Sequence, residues 1–172
     1  MGKDEVLDFS VLYRQYARDV HRFALFLSGD KAAADDIVSE TFVRVWNARE
    51  RVDLTTVKGY LFTIARNLYL QERRHLARRR ELDESTVSLQ PGQDRITQSQ
   101  RELQAVLAAL QELPEVDRAA VLMRADDGLS YEEIGAALGI ASATARVKVH
   151  RARLLLAKRA GISTADSKKG KS

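Results

Sequence analysis

Leu129-Ser-Tyr-Glu-Glu-Ile-Gly-Ala-Ala-Leu-Gly-Ile-Ala-Ser-Ala-Thr-Ala-Arg-Val-Lys-Val-His-Arg-Ala-Arg153 reads as a short capped helix, a glycine turn and a second helix whose charge is all positive. Ser130 followed by Glu133 is a capping box, which predicts a helix start at about Tyr131. Ile134, Ala137 and Leu138 give that helix an apolar face, and Gly139 can take the left-handed backbone that ends it. A second helix is predicted from near Ser142 to about Ala160, before Gly161. It carries Arg146, Lys148, Arg151, Arg153, Lys158 and Arg159 with no acid among them. This is a helix-turn-helix pattern, whose second helix normally enters the DNA major groove and reads base edges. A basic, solvated helix in an unrelated bundle would share the charge, but not the cap and the turn at these offsets.

The whole chain of 172 residues has room for one ordinary domain or two small helical ones. Its hydrophobic content of 45% suffices for a core. Long alternating β-branched runs are missing and helical periodicity recurs, so the expected fold class is all-α. A net charge of +4, a sequence pI near 9.5 and clustered arginines point to a polyanionic partner. Cysteine is absent, which excludes disulfides, thiolate zinc sites and thiol catalysis. The charged N-terminus lacks a signal-peptide core, and no apolar run approaches the roughly 18 residues of a membrane span. A soluble, cytoplasmic protein without membrane insertion is expected.

Leu12, Tyr16, Val20, Phe23 and Leu27 recur at helical steps and predict a first helix of about Phe9 to Ser28. Asp30 can cap a second, about Lys31 to Arg49, with Ile37, Val38, Phe42, Val45 and Trp46 as its buried stripe and Trp46 as an anchor between helices. A third runs from about Thr56 to Arg80 with Leu61, Ile64, Ala65 and Leu68 inward. Its second half turns basic, with Arg66, Arg73, Arg74, Arg78, Arg79 and Arg80 opposed by Glu72. From Glu84 to Ser99 the periodicity collapses around Pro91-Gly92, which predicts a flexible linker. Helical spacing resumes at Leu103, Val106, Leu107 and Leu110. Leu113-Pro114 breaks that helix and opens another, about Glu115 to Asp126. The expected organisation is a helical domain over residues 1–83, a linker over 84–99, a helix-turn-helix domain over 100–161 and a disordered polar tail over 162–172.

With both halves laid out, the sequence resembles the extracytoplasmic-function group of bacterial RNA polymerase sigma factors, in the sigma-70 family. Three segments carry the resemblance, in order, over about Phe9 to Ala160. Ala34-Asp-Asp-Ile-Val-Ser-Glu-Thr-Phe-Val-Arg-Val-Trp46 looks like the family's core-binding helix. Lys58-Gly-Tyr-Leu-Phe-Thr-Ile-Ala-Arg-Asn-Leu68, with the arginines after it, looks like its strand-opening helix. Gly128-Leu-Ser-Tyr-Glu-Glu-Ile-Gly135 with Thr144 to Arg153 looks like its −35-element reader. Some positions depart from the pattern. Gln71 stands where aspartate is usual, Ala141 where serine or proline is common, so that capping passes to Ser142, and Ala145 and Val147 replace valine and serine. These changes bear on the promoter sequence that is read, not on the function.

The resemblance implies core RNA polymerase and promoter DNA as partners, often with an anti-sigma protein that holds the factor inactive. Asp35, Asp36 and Glu40 beside Ile37, Val38, Thr41 and Phe42 form an acidic rim around an apolar centre, suited to docking on a basic coiled coil. The same acids would also complement a helix dipole in front of an ordinary core stripe. For capture of the opened −10 strand, the candidates are Thr55, Thr56, Lys58, Tyr60, Arg66, Asn67, Arg73 and Arg74. A base stacked on an aromatic or guanidinium plane gains roughly 1–3 kcal/mol. Phe62 is expected in the core. For the −35 duplex, the candidates are Arg124, Ser142, Thr144, Arg146, Val147, Lys148, His150 and Arg151. Val147 can read a base only by apolar contact, for example with a thymine methyl. Val149, Ala152 and Leu156 form the helix's expected buried side.

No catalytic constellation is visible, and neither a cofactor nor a metal is expected. His21, His75 and His150 are scattered without ligand spacing, and there is no glycine-rich phosphate loop. Two other classes compete with a sigma factor. A stand-alone helix-turn-helix regulator would share the C-terminal half, but its response-regulator form needs an upstream α/β domain that this N-terminal half does not predict. An enzyme acting on nucleic acid would need acids in a basic cleft.

Overall fold

The computed structural model describes residues 8–48, 57–82, 95–126 and 128–160. Within them seven helices follow one another: α1 (Phe9–Ser28), α2 (Lys31–Asn47), α3 (Val57–Leu82), α4 (Gln98–Gln111), α5 (Glu115–Arg124), α6 (Tyr131–Leu138) and α7 (Ser142–Arg159). The all-α expectation holds. The predicted linker core, the tail, and Thr55 and Thr56 lie outside the described residues.

Side-chain caps set the turns of the first bundle. The Asp8 carboxylate accepts from Ser10 N at 3.0 Å to start α1. Gly29 ends it in the left-handed region, at φ 69°, with its N–H on Leu25 O. The next residue, Asp30, accepts from Ala32 N at 2.9 Å and starts α2. So short a connection turns α2 back along α1, and α3 packs on both. Their apolar faces meet in a core of Val20, Phe23, Leu27, Ile37, Phe42, Val45, Leu61 and Ala65. Phe23 and Phe62 stack at 4.6 Å between ring centroids, and Phe62 is buried as expected. Each such large side chain contributes about 1.5–3 kcal/mol by leaving water.

One expectation about burial fails. Trp46 is 47% exposed. It meets the edge of Phe9 at 5.0 Å, at the end of the α1–α2 seam, where an aromatic group of Phe9, Tyr13 and Phe42 covers one side of it. On α4, Leu103 and Val106 are exposed while Leu110 is buried. Only the C-terminal end of that helix reaches the core: the Gln111 amide donates to Phe26 O at 3.1 Å and to Leu27 O at 3.4 Å.

The second half is built around the helix-turn-helix. The Ser130–Glu133 capping box is present in both directions, at 3.1 Å each way, and Gly139 is left-handed at φ 69°. Capping does not pass to Ser142. That residue is already helical, and Ala141 occupies the cap position without a side-chain hydrogen bond. α5 ends at Arg124 rather than Asp126, because Ala125 turns to extended backbone and Asp126 is left-handed at φ 53°. Ala145, Val149 and Ala152 of α7 are fully buried against α5 and α6. Two of the three are alanines, which lets the helix axes approach closely.

The halves pack on each other. Buried Arg118 of α5 donates to Leu110 O, Gln111 O and Leu113 O around the end of α4, and to the Tyr69 hydroxyl of α3 at 3.1 Å. Arg66 of α3 grips Glu115 of α5, and Arg22 of α1 reaches Asp126 at 3.0 Å.

Candidate nucleic-acid interface

α7 presents a polar and cationic face opposite its buried alanine and valine face. Ser142, Thr144, Arg146, Val147, His150, Arg151 and Arg153 are exposed, Val147 to 61%. These α7 residues of the expected set therefore lie on its solvent side, with Lys148 half-buried at the edge. Their side chains are also held from within the domain, which sequence reasoning missed. The Tyr131 ring lies 4.6 Å from the Arg146 guanidinium and 4.5 Å from that of Arg124. Arg124 is half-buried and donates to Leu129 O at 3.0 Å. Lys148 and Arg151 both bond Asp117, a carboxylate of α5 that is 1% exposed.

α3 supplies a second cationic surface. From Gln71 to Leu82 every residue is exposed, so this stretch extends beyond the bundle with Arg73, Arg74, Arg78, Arg79 and Arg80 in solvent. Arg73 lies 5.7 Å from the Tyr69 ring, and Tyr69 itself is buried. Nearer the bundle the candidates are more enclosed. Lys58 lies 3.8 Å from Asp19 and 5.7 Å from the Phe62 ring, Tyr60 is half-buried and Asn67 is exposed. Arg66 is engaged by both oxygens of Glu115, at 2.8 Å each.

On α2 the expected docking set divides. Ile37, Val38, Thr41 and Phe42 are buried in the bundle, with the Thr41 hydroxyl donating to Ile37 O. They form the core, so the apolar centre expected of a docking face is not theirs. Asp35, Asp36 and Glu40 are exposed, as is Val43 at 51%. Asp35 lies 3.0 Å from His21 Nε2, and Glu40 pairs loosely with Arg44. Arg44 also donates to the Gln71 amide oxygen at 3.4 Å, linking α2 to α3.

Glu115, Asp117, Arg118 and Tyr131 carry much of this geometry and were not singled out from sequence. Asp117 left a trace: it interrupts the stripe of Leu113, Ala120 and Val121, where an acid is costly unless paired. Among the described residues, no cluster of three or more histidine or acidic groups could hold a metal ion. No described helix is long and apolar enough to cross a membrane.

Two family signatures match the chain, one in each half. The sigma-70 region 2 signature matches residues 12–79, and the sigma-70 region 4 signature matches residues 103–156. The extracytoplasmic-function sigma factor SigL of Mycobacterium tuberculosis is 34% identical over 145 residues, which cover 82% of this chain and 82% of that protein. The chain belongs to the extracytoplasmic-function group of the sigma-70 family. SigE of Mycolicibacterium smegmatis shares 39% identity with this sigma factor over 147 residues, 83% of the chain but 57% of SigE's own length. Among solved structures, RpoE of Bartonella quintana, in complex with the anti-sigma factor NepR, aligns with a TM-score of 0.76 at 27% identity, over 91% of this chain and 98% of that one. The family is regulatory rather than catalytic.

Proposed function

We propose that this sigma factor binds core RNA polymerase and directs promoter-specific initiation through three surfaces. The exposed acids of α2 (Asp35, Asp36 and Glu40), with Val43 beside them, dock on the polymerase. The cationic side of α3, with Lys58, Tyr60, Arg66, Asn67, Arg73 and Arg74, captures the opened −10 strand. The outer face of α7 reads the −35 duplex through Arg146, Val147, His150 and Arg151. The corresponding domain division is α1–α3 for polymerase and −10 contacts, and α4–α7 for the −35 element. A cytoplasmic location follows from such a role.

The observation that carries this reading is the exposed face of α7. It brings Arg146, Val147, His150 and Arg151 to one accessible side of the second helix of a helix-turn-helix. The N-terminal half supports a sigma factor over a stand-alone regulator, because its described residues form three helices and no α/β domain. An anti-sigma partner belongs to the same reading. A cleft of about 790 Å³ runs between the halves, lined by Phe23, Phe26, Phe62, Val106, Leu122 and Leu156, and would accept an apolar segment of such a partner.

The test is run-off transcription with purified bacterial core polymerase on genomic fragments, with and without the protein. Discrete new transcripts sharing an upstream motif are expected. No transcripts, together with no co-migration with core polymerase on a sizing column, would leave the stand-alone regulator as the better reading.

A further inference from the structure

Asp117 is almost completely buried, yet both cations that hold it reach solvent. Its Oδ1 accepts from Lys148 Nζ at 3.0 Å, and its Oδ2 accepts from Arg151 Nε at 3.0 Å and Nη2 at 2.8 Å. The carboxylate is 1% exposed, whereas the Lys148 side chain is 23% exposed and that of Arg151 54%. The acid therefore grips these long side chains from inside the domain and leaves their outer atoms on the surface of α7. Two donors of one guanidinium on one oxygen fix the plane of the fork, and Nη1 is not used by Asp117. The same carboxylate offsets one of the two positive charges that Lys148 and Arg151 would otherwise offer to any phosphate.

We propose that Asp117 is a positioning residue for the −35 reader, setting Arg151 for sequence-dependent contact and restraining the indiscriminate attachment of Arg151 and Lys148 to phosphates. The proposal rests on the assignment of α7 as that reader. Sequence choice comes from fixed geometry at base edges, and affinity without choice comes from mobile cations on phosphates. Loss of the carboxylate should therefore move the two in opposite directions. A buried acid that merely braced α5 against α7 would instead lower both together. Asp117→Asn keeps the shape and strands no buried cation, since both partners can turn to solvent.

The experiment uses the full chain assembled with core polymerase. Selection from a random duplex library first defines the preferred −35 sequence of the wild type. Anisotropy then measures binding of that duplex and of a scrambled one across a salt series, with circular dichroism melting in parallel. Asp117→Asn should reduce discrimination between the duplexes by roughly five- to a hundred-fold, the range that one well-placed base contact supplies. Its binding to the scrambled duplex should tighten, with a log–log salt slope steeper by about one to two for the two released cations. In an Arg151→Gln background, Asp117→Asn should change discrimination by less than about twofold, as expected when one residue acts through the other.

Unchanged discrimination and slope in Asp117→Asn would overturn the proposal, as would a parallel fall in both affinities at constant slope. If Asp117→Asn fails to fold, Arg151→Lys decides. It keeps the charge and the ion pair but loses the fork, so discrimination should fall with the slope unchanged; retained discrimination would overturn the proposal. A wild type that selects no sequence would remove the assignment of α7 itself, an outcome distinct from a motif that Asp117→Asn still reads.

Discussion

Arg66 and Glu115 close on each other across the two halves of the molecule: Nε meets Oε1 and Nη2 meets Oε2, both at 2.8 Å, with the side chains 12% and 15% exposed. Arg66 also lies in the segment assigned to capture of the −10 strand. That guanidinium edge cannot hold a carboxylate and a phosphate at once, and the Arg66 side chain is only 12% exposed, so DNA capture through this edge requires Glu115 to withdraw. Were the halves to separate for this purpose, Arg118 would also leave the Tyr69 hydroxyl, and Gln111 the carbonyls of Phe26 and Leu27.

Glu115→Gln should therefore loosen the packed arrangement. Charge-assisted hydrogen bonds with little exposure are worth about 1.5–3 kcal/mol, and the amide retains only part of that. X-ray scattering of the free protein should show a larger radius of gyration, and a single-stranded oligonucleotide should bind more tightly than to wild type. An unchanged scattering profile with unchanged oligonucleotide binding would mean that this pair does not hold the halves together.

Replacing Arg146 and Arg151 together by alanine should abolish promoter-specific initiation while leaving association with core polymerase nearly intact. Both residues lie on the outer face of α7, far in sequence from the exposed acids of α2. The effect on −35 discrimination should amount to several kcal/mol if each arginine makes a base contact of roughly 1–3 kcal/mol. Run-off transcription and co-migration on a sizing column give the two readouts. Loss of core binding in this variant would contradict the division of labour between the halves.

Much of this architecture was legible in the sequence because its signals are local. The Ser130–Glu133 box, the left-handed Gly139 and the Asp30 cap each specify a turn through atoms only a few residues apart, and all three are present. The buried side of α7 was legible for the same reason, since Val149 and Ala152 follow the helical period. What the sequence did not disclose was partnership over distance. Arg66 reads as a free cation whether or not Glu115 lies opposite, and Lys148 and Arg151 look identical with and without Asp117 behind them. An apolar stripe also says that a helix face would gain from being covered, not that something covers it. Leu103 and Val106 on α4, and Trp46 on α2, remain exposed for that reason. On α2 the error ran the other way. The acidic rim was legible, but the apolar residues beside it belong to the bundle's own core.

Tyr131 should matter to DNA recognition through its ring rather than its hydroxyl. Arg124 and Arg146 lie 4.5 and 4.6 Å from its centroid, within the range of cation–π attraction, which is worth about 0.5–2 kcal/mol. Tyr131→Phe should leave −35 discrimination unchanged, and Tyr131→Ala should lower it by up to about tenfold through loosening of Arg146. Anisotropy with the preferred and scrambled duplexes separates the cases. An equal loss in both variants would assign the effect to the hydroxyl instead.

Gly128 should prove the least replaceable glycine near the helix-turn-helix. A Cβ built there would lie 2.3 Å from Met123 O and 2.8 Å from Ala125 O, both backbone atoms at the end of α5. That carbonyl of Met123 is already engaged, accepting from Leu129 N at 2.8 Å, and this bond folds the chain back before Ser130 caps α6. Gly128→Ala must therefore push backbone apart or break the bond, either of which shifts α6 relative to α5. A cost of about 1–3 kcal/mol is expected for such overpacking. It should appear as a lowered melting temperature and as weakened −35 discrimination, because the α5–α6 angle places Tyr131 against Arg124 and Arg146. Gly139→Ala is the informative comparison. Its added Cβ meets nothing within 4 Å, so only the left-handed backbone at φ 69° opposes it, at a cost of roughly 1–2 kcal/mol. If Gly128→Ala melts at the wild-type temperature and reads the promoter normally, the close approach of Gly128 to Met123 is not what sets the entry to the reading head.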